Sequence, residues 1–533
     1  MKVNRRVIRS EGELKQLLDE MYQKAKDGDS FYGLVEMLTN EEAVVSAIHK
    51  IKGNHGSKTP GADGKGIDEY LQMDKDELIA LLQRHINDYD PQPVKRVYIP
   101  KNNIKSTDKT QMRPLGIPNM IDRIIQELVR MFIEPIAEAQ FYPHSYGFRP
   151  YRSAEHALAR MRDVSRRSKT FWVVEGDIHG YFDHINHNKL IEIMWNMGIK
   201  DKRLLAIIKK MLKAGYVENG VYHKTTEGTP QGGIVSPLLA NIYLNGFDWM
   251  IAREYEFHPY TERYKERRAA YQQMKAEGHE PTYLVRYADD WVILTTSKEN
   301  AERLMQKADK YLKHRLKLEL SLEKTLITDM RIRPVTFLSY DLKFGTTKEG
   351  KYAPMLYPNM KAVGKAVKVN GVWVGLTHCD ITPVKYSRNF NQTMTPYTEQ
   401  GRKAYAALME RTPPLCRPAI YKAEELLRVR QGFKRELTNF EFFMNRDYAY
   451  NRDRGKCRAC GCYLFGIEAH CHHIDPSLPA DQVNKVKNLA SLCPVCHRLV
   501  HSNQVVEGPA KKKKSIQKFR DILEKAGRRK PTT

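Results

Sequence analysis

The segment YLVRYADDWVILTT constrains the fold of this 533-residue chain more than any other stretch. Apolar, β-branched runs on both sides of Tyr287-Ala288-Asp289-Asp290 predict two buried strands joined by a tight turn, with two carboxylates at the tip. Adjacent carboxylates repel each other, and an apolar hairpin leaves little water to screen them. The pair therefore requires a cation, and hard oxygen ligands suit Mg²⁺. A lone Asp-Asp pair is usually a solvated turn, so the reading needs a partner.

A second carboxylate motif supplies it. The strand FWVVEGD ends at Asp177, and DIHGYFDHINH continues from it toward a helix. Asp177 can meet Asp289 across two neighbouring strands. Three carboxylates on one sheet can hold two Mg²⁺ ions, one activating a primer 3′-hydroxyl and the other neutralising a triphosphate during in-line displacement.

A net charge of +25, from 88 Lys+Arg against 63 Asp+Glu, suits a folded protein that meets a polyanion. No apolar run approaches the roughly 20 residues of a spanning helix, so no membrane role is expected. The opening MKVNRRVIRSEGELKQLL lacks a secretory apolar stretch, and the expected location is a bacterial cytoplasm, in association with the nucleoid.

Six of the eight cysteines lie between Cys457 and Cys496, among histidines, which reads as a metal site and not a disulfide framework. Cys457-x-x-Cys460 and Cys493-x-x-Cys496 have the spacing of one tetrahedral structural Zn²⁺. His497 and His501 share a helix face, where with His472 they could hold a second cation, leaving His473 free to act. The alternative is a purely structural zinc module that binds DNA. Cys462 and Cys471 are surplus to both sets.

By pattern, residues 1–93 are helical apart from the turn-rich KGNHGSKTPGADGKGID, which lacks phosphate-loop spacing and receives no nucleotide role. Residues 94–344 alternate strands and helices, with a charged, aromatic-bearing insertion at 251–281 that reads as a solvated helix or an RNA-contacting face. After Tyr340 glycine and proline become frequent, and helices are expected near 400–411 and 418–445. The Cys/His module occupies 446–510 and a basic tail 511–533, solvated or in contact with phosphates.

Eight ordered blocks resemble the reverse transcriptases of mobile group II introns: FYGLVEML with KGNHGSKTPGADG, VKRVYIPK with MRPLGIPNMIDRIIQ, SYGFRPYRSAEHAL, GDIHGYFDHINH, GTPQGGIVSPLLANIYLNGFD, LVRYADDWVIL, LELSLEKTLIT and TFLSYDL. The resemblance implies an α/β multidomain chain with a right-hand fingers/palm polymerase fold. Asp177, Asp289 and Asp290 become catalytic Mg²⁺ ligands, and Lys101 and Arg113 contact the triphosphate of an incoming dNTP. Phe182 becomes an aromatic gate against the ribose 2′-hydroxyl, with a core aromatic as the alternative. Gln231, in Thr229-Pro230-Gln231-Gly232-Gly233, and Lys324 line the nucleotide pocket, while Asp183 reads as structural.

EAHCHHIDP and KNLASLCPVCHRLVH resemble the HNH nucleases, which implies a zinc-stabilised ββα-metal module. His472, His497 and His501 would then hold a divalent cation, expected to be Mg²⁺, with His473 as general base and Asn488 ordering the hairpin. Together the resemblances imply intron RNA and target DNA as partners, target-primed reverse transcription and splicing assistance, and leave a homodimer open. An RNA-binding splicing cofactor and a host-adopted defence reverse transcriptase are the alternatives.

Two departures stand out. The family's primer-gripping turn usually reads Phe-Leu-Gly-Tyr, but this chain has Phe337-Leu338-Ser339-Tyr340, so Ser339 is strained if the turn needs positive φ. The three-helix thumb, or maturase region, expected within 345–445 has no counterpart in KFGTTKEGKYAPMLYPNMKAVGKAVKVNGVWVGL. A deletion near residues 344–360 is expected, with low processivity and weak splicing assistance as its consequences.

Overall fold

The computed structural model describes residues 1–100, 112–321, 323–347, 350–359, 366–369, 372–375, 390–412, 416, 437, 439–465 and 469–528. Its strands, in chain order, begin with β1 Val94–Pro100, β2 Met112–Ile117, β3 Trp172–Gly176, β4 Tyr216–Glu218, β5 Val221–His223, β6 Thr282–Tyr287, β7 Asp290–Thr295 and β8 Leu326–Asp329. Two four-stranded sheets result, ordered β2-β1-β4-β5 and β6-β7-β3-β8. In the second, antiparallel pairing sets Tyr287 opposite Asp290 and Gly176 opposite Trp291. The predicted hairpin forms, with Ala288 at φ +59° and Asp289 making the turn.

Helices Glu11–Lys26, Glu41–Lys52 and Lys75–Asn87 pack with the largely buried helices Met120–Glu138 and Ser236–Ala252 in one continuous core, which reaches Val174 of β3 and Ile293 of β7. The turn-rich segment after Lys52 has a packing role. Asn119 Oδ1 accepts from the Ala62 and Asp63 amides, and Arg123 donates to the Gly56 and Thr59 carbonyls. The insertion forms two short helices, Tyr260–Arg263 and Arg267–Ala276, the latter burying only Ala270 and Met274.

β9 Val335–Phe337 and β10 Tyr340–Thr346 are joined by Leu338 (φ +50°) and Ser339 (φ +66°), so this turn does require the left-handed region, at about 1–2 kcal/mol for each non-glycine residue. β10 then pairs with β11 Tyr352–Pro358, and β12 Ala366–Val369 pairs with β13 Val372–Gly375. Among the described residues no helix follows until Glu399–Leu408.

Two expectations need correction. Of the helix expected at 418–445, residues 418–436 and 438 lie outside the described set; the described helix, Phe440–Arg452, begins where Asn439 caps the Phe442 amide and runs through residue 446, so the domain boundary placed there cuts an intact helix. The basic tail is not merely solvated. Within helix Ala510–Lys525, Ile516, Phe519 and Leu523 recur at helical spacing and are buried in the Cys/His module, where Arg520 donates to the Leu499 and Gln504 carbonyls. No described helix is long and apolar enough to cross a membrane.

Beneath the β6–β7 turn, Arg286 on β6 forms a bidentate pair with Asp248 of helix Ser236–Ala252, both bonds 2.7 Å and both side chains at most 1% exposed. Removing one partner strands a buried charge, so Asp248→Ala should lower stability by about 3–5 kcal/mol, read as a fall in the urea midpoint. The double variant Arg286→Met/Asp248→Leu should recover most of that loss.

Candidate functional site

β3 ends one residue before Asp177, and the β3–β7 register brings that residue beside the hairpin tip. Burial raises Asp289 above the ordinary carboxylate range, and the Asp177 charge adds to the rise. Asp290 is open to solvent along one side. Loss of hydration on its other sides, then the Asp289 and Asp177 charges, push it up to about 6. Three carboxylates therefore share one electrostatic site that the cations among the described residues do not balance. Lys324 Nζ donates to Asp177 Oδ2 at 3.0 Å, and Arg113, exposed on β2, favours ionisation of both Asp289 and Asp290. Divalent cations would supply the missing positive charge. Lys101 lies outside the described residues.

Phe182 sits half-buried in a single 3₁₀ turn, Tyr181–Asp183, edge-on to Phe148 with centroids 6.3 Å apart. Its carbonyl accepts the Thr229 amide at 2.7 Å, and the Gly116 amide of β2 donates to the Gln231 carbonyl at 2.6 Å. The Thr229–Gly233 loop thus ties the carboxylate sheet to the β1–β2 sheet. Gly232 allows this approach: its φ is +113°, and a Cβ there would lie 2.7 Å from the Gly116 carbonyl oxygen. Asp183 lines a cleft of about 280 Å³ with Arg96, Glu227 and Gln231.

In the C-terminal module, β14 His470–His473 pairs with β15 Leu489–Leu492, and helix Pro494–His501 follows. Cys457, Cys460, Cys493 and Cys496 bring their sulfurs within 4.8 Å of one another, as do His472, His497 and His501 their ring nitrogens. Both donor sets fit a metal. His472 Nε2 is buried without a hydrogen-bond partner, so its lone pair or N–H is not committed to another protein group. Cys462 Sγ lies 3.4 Å from Cys460 Sγ. Asn488 orders the hairpin by accepting the Asp475 amide and donating to the Asp475 and Val483 carbonyls.

The structure does not bring His473 into the histidine cluster. Strand alternation turns it with Cys471 toward helix Phe440–Arg452, where its ring stacks 5.0 Å from Phe442 and its Nε2 meets Asn484 Oδ1 at 2.7 Å. His470, two residues before His472, shares the cluster face, with its Nδ1 3.3 Å from His497 Nδ1.

Residues 99–342 match the family model described as "Reverse transcriptase (RNA-dependent DNA polymerase)". The Group II intron-encoded protein LtrA of Lactococcus lactis subsp. cremoris is 38% identical over 353 residues, 59% of this chain and 57% of that protein. Protein YkfC of Escherichia coli (strain K12) is 33% identical over 312 residues, 55% of this chain and 78% of that protein. The chain belongs to the reverse transcriptase family. It is homologous to group II intron-encoded proteins, and it spans just over half (57%) of the LtrA sequence. The family match includes Arg113, Asp177, Phe182, Gln231, Asp289, Asp290 and Lys324; the Cys/His module lies beyond it.

Sequence reasoning missed what holds the reverse transcriptase carboxylates in place. Arg286 Nη1 donates to Asn241 Oδ1 at 2.9 Å and to the Ala288 carbonyl at 2.7 Å, so the Asp248 pair also grips the turn. Asp248, the one charged residue of a largely apolar helix, was the available signal. The segment containing Ser145 and Tyr146 runs beside β6, the Tyr146 amide donating to the Arg286 carbonyl at 2.8 Å. Gly147 then abuts the turn, where a Cβ would lie 2.3 Å from the Ala288 amide nitrogen. Gly147→Ala should displace the turn and cut primer extension at least about tenfold, with circular dichroism unchanged.

Proposed function

We propose that this chain copies RNA into DNA by extending a primer 3′ end, and that its C-terminal module nicks a DNA target strand to provide that end in intron mobility. The observation that carries the polymerase reading is the convergence of Asp177, Asp289 and Asp290 at a tip clamped from below by Arg286. Mg²⁺ bound to these carboxylates would activate the primer hydroxyl and neutralise the triphosphate. Lys324 and Arg113 add positive charge where the triphosphate would lie, the Gln231 loop backs the nucleotide, and Phe182 crowds the 2′ side of its sugar. The family likeness supports this chemistry, and the link to group II intron proteins supports intron RNA as template and splicing partner.

Asp289→Ala and Asp177→Ala should reduce primer extension on an RNA template to background while leaving RNA binding nearly intact, because carboxylates make little phosphate contact. Phe182→Ala should raise ribonucleotide incorporation about tenfold or more. Extension that persists in either aspartate variant would remove the assignment.

For the nuclease, His472, His497 and His501 would form the cation site, and the four cysteines would hold a structural Zn²⁺; the closeness of each donor set supports this. Resemblance gives the role of proton acceptor to His473, whose ring is already oriented by Asn484 and Phe442. His473→Ala should abolish Mg²⁺-dependent nicking of supercoiled target DNA with zinc content and primer extension retained, whereas Cys457→Ser should release zinc. Nicking that survives His473→Ala but is lost in His470→Ala would move the role to His470.

A further inference from the structure

The helix Arg267–Ala276, at the far end of β6 from the carboxylates, walls a cavity of about 200 Å³ with helix Ala154–Ser168. Tyr283 of β6 lines it, six residues from Asp289, which at a strand rise of about 3.4 Å puts it about 20 Å from the polymerase carboxylates. The volume falls below the roughly 300–1,000 Å³ of pockets that enclose drug-sized ligands, so it encloses at most one base, with an attached phosphate left at the rim beside the exposed Arg267.

Its charges are unequally committed. Glu256 is engaged by Arg160, by the Tyr142 hydroxyl at 3.0 Å and by His144 Nε2 at 3.2 Å, while Asp163 is engaged by Arg167 at 2.8 Å. Both acids of the cavity are therefore neutralised. Arg267 makes no ion pair among the described residues, and Arg160 Nε is buried without a hydrogen-bond partner. Tyr271 adds an aromatic wall held parallel to Tyr255, centroids 5.2 Å apart and planes 10° from parallel. A held tyrosine ring beside an uncommitted guanidinium is the chemistry that receives a splayed-out base and its phosphate.

We propose that this cavity binds one unpaired nucleotide of a structured RNA, its base against Tyr271 and its phosphate against Arg267. The inference rests on the reading of the chain as an RNA-binding polymerase, but the site lies about 20 Å from the carboxylates. A paired duplex cannot enter a space this small, so the cavity selects bulges and loops.

The test measures binding of the full chain to a labelled RNA hairpin with a single bulged adenosine and to the same hairpin without it, with primer extension on an unstructured template run in parallel. The bulge should improve affinity about tenfold. That gain should vanish in Tyr271→Ala, survive in Tyr271→Phe, and fall in Arg267→Ala together with a shallower salt dependence, all with extension rates and melting temperature unchanged. No bulge preference in the unmodified chain, or a preference that survives Tyr271→Ala, would overturn the proposal. Competition by adenosine monophosphate at equal strength would assign the cavity to free nucleotide and also overturn it. Loss of extension in the unmodified chain would instead count against the polymerase reading alone.

Discussion

The arrangement of the carboxylate centre depends on the buried pair between Arg286 and Asp248. Each ion taken from water costs several kcal/mol, and the cost is offset only when geometry and remaining hydrogen bonds are complete. Here they are: Arg286 serves both Asp248 oxygens, the Asn241 side chain and the Ala288 carbonyl. The pair thereby connects the long apolar helix, β6 and the turn residue. Asp289 and Asp290 repel each other and Asp177, and a turn loaded with that repulsion would open if only its strand hydrogen bonds held it. The Arg286 clamp and the close seat of Gly147 hold it shut.

A second constraint acts at the scale of the whole chain. The helix Phe440–Arg452 belongs to two cores at once: Phe440 and Met444 are buried with the N-terminal helices, and Phe442 and Ala449 with β15 of the Cys/His module. Glu441, fully buried on this helix, pairs with Lys52 on one side and Lys485 on the other, at 2.8 and 3.0 Å. His49 stacks on Tyr448 at 4.1 Å. The two candidate centres are thus joined through one helix packed into both cores instead of a loose tether.

The extent to which the site was legible follows from the range of the interactions. The hairpin, the approach of Asp177 and the cysteine and histidine sets rest on periods of two and of 3.6 and on ligand spacings, all local properties. Ser339 at φ +66° was equally readable from one departure in a turn. The basic C-terminal helix was misread because its lysines dominate its composition, while three apolar residues at helical spacing decide its packing.

The sequence by itself indicated the polymerase class, the three carboxylates and the cysteine and histidine sets that could hold a metal, because each is assembled from short motifs whose residue types and spacing are read locally. Only the tertiary structure decided which groups support or surround them. Arg286 and Asp248 are 38 residues apart, Gly147 reaches Ala288 from a different segment, and His473 finds its partners in Phe442 and Asn484, on a separate helix and a separate loop. Contacts of this kind depend on how separate elements pack, and no local pattern in the chain records them.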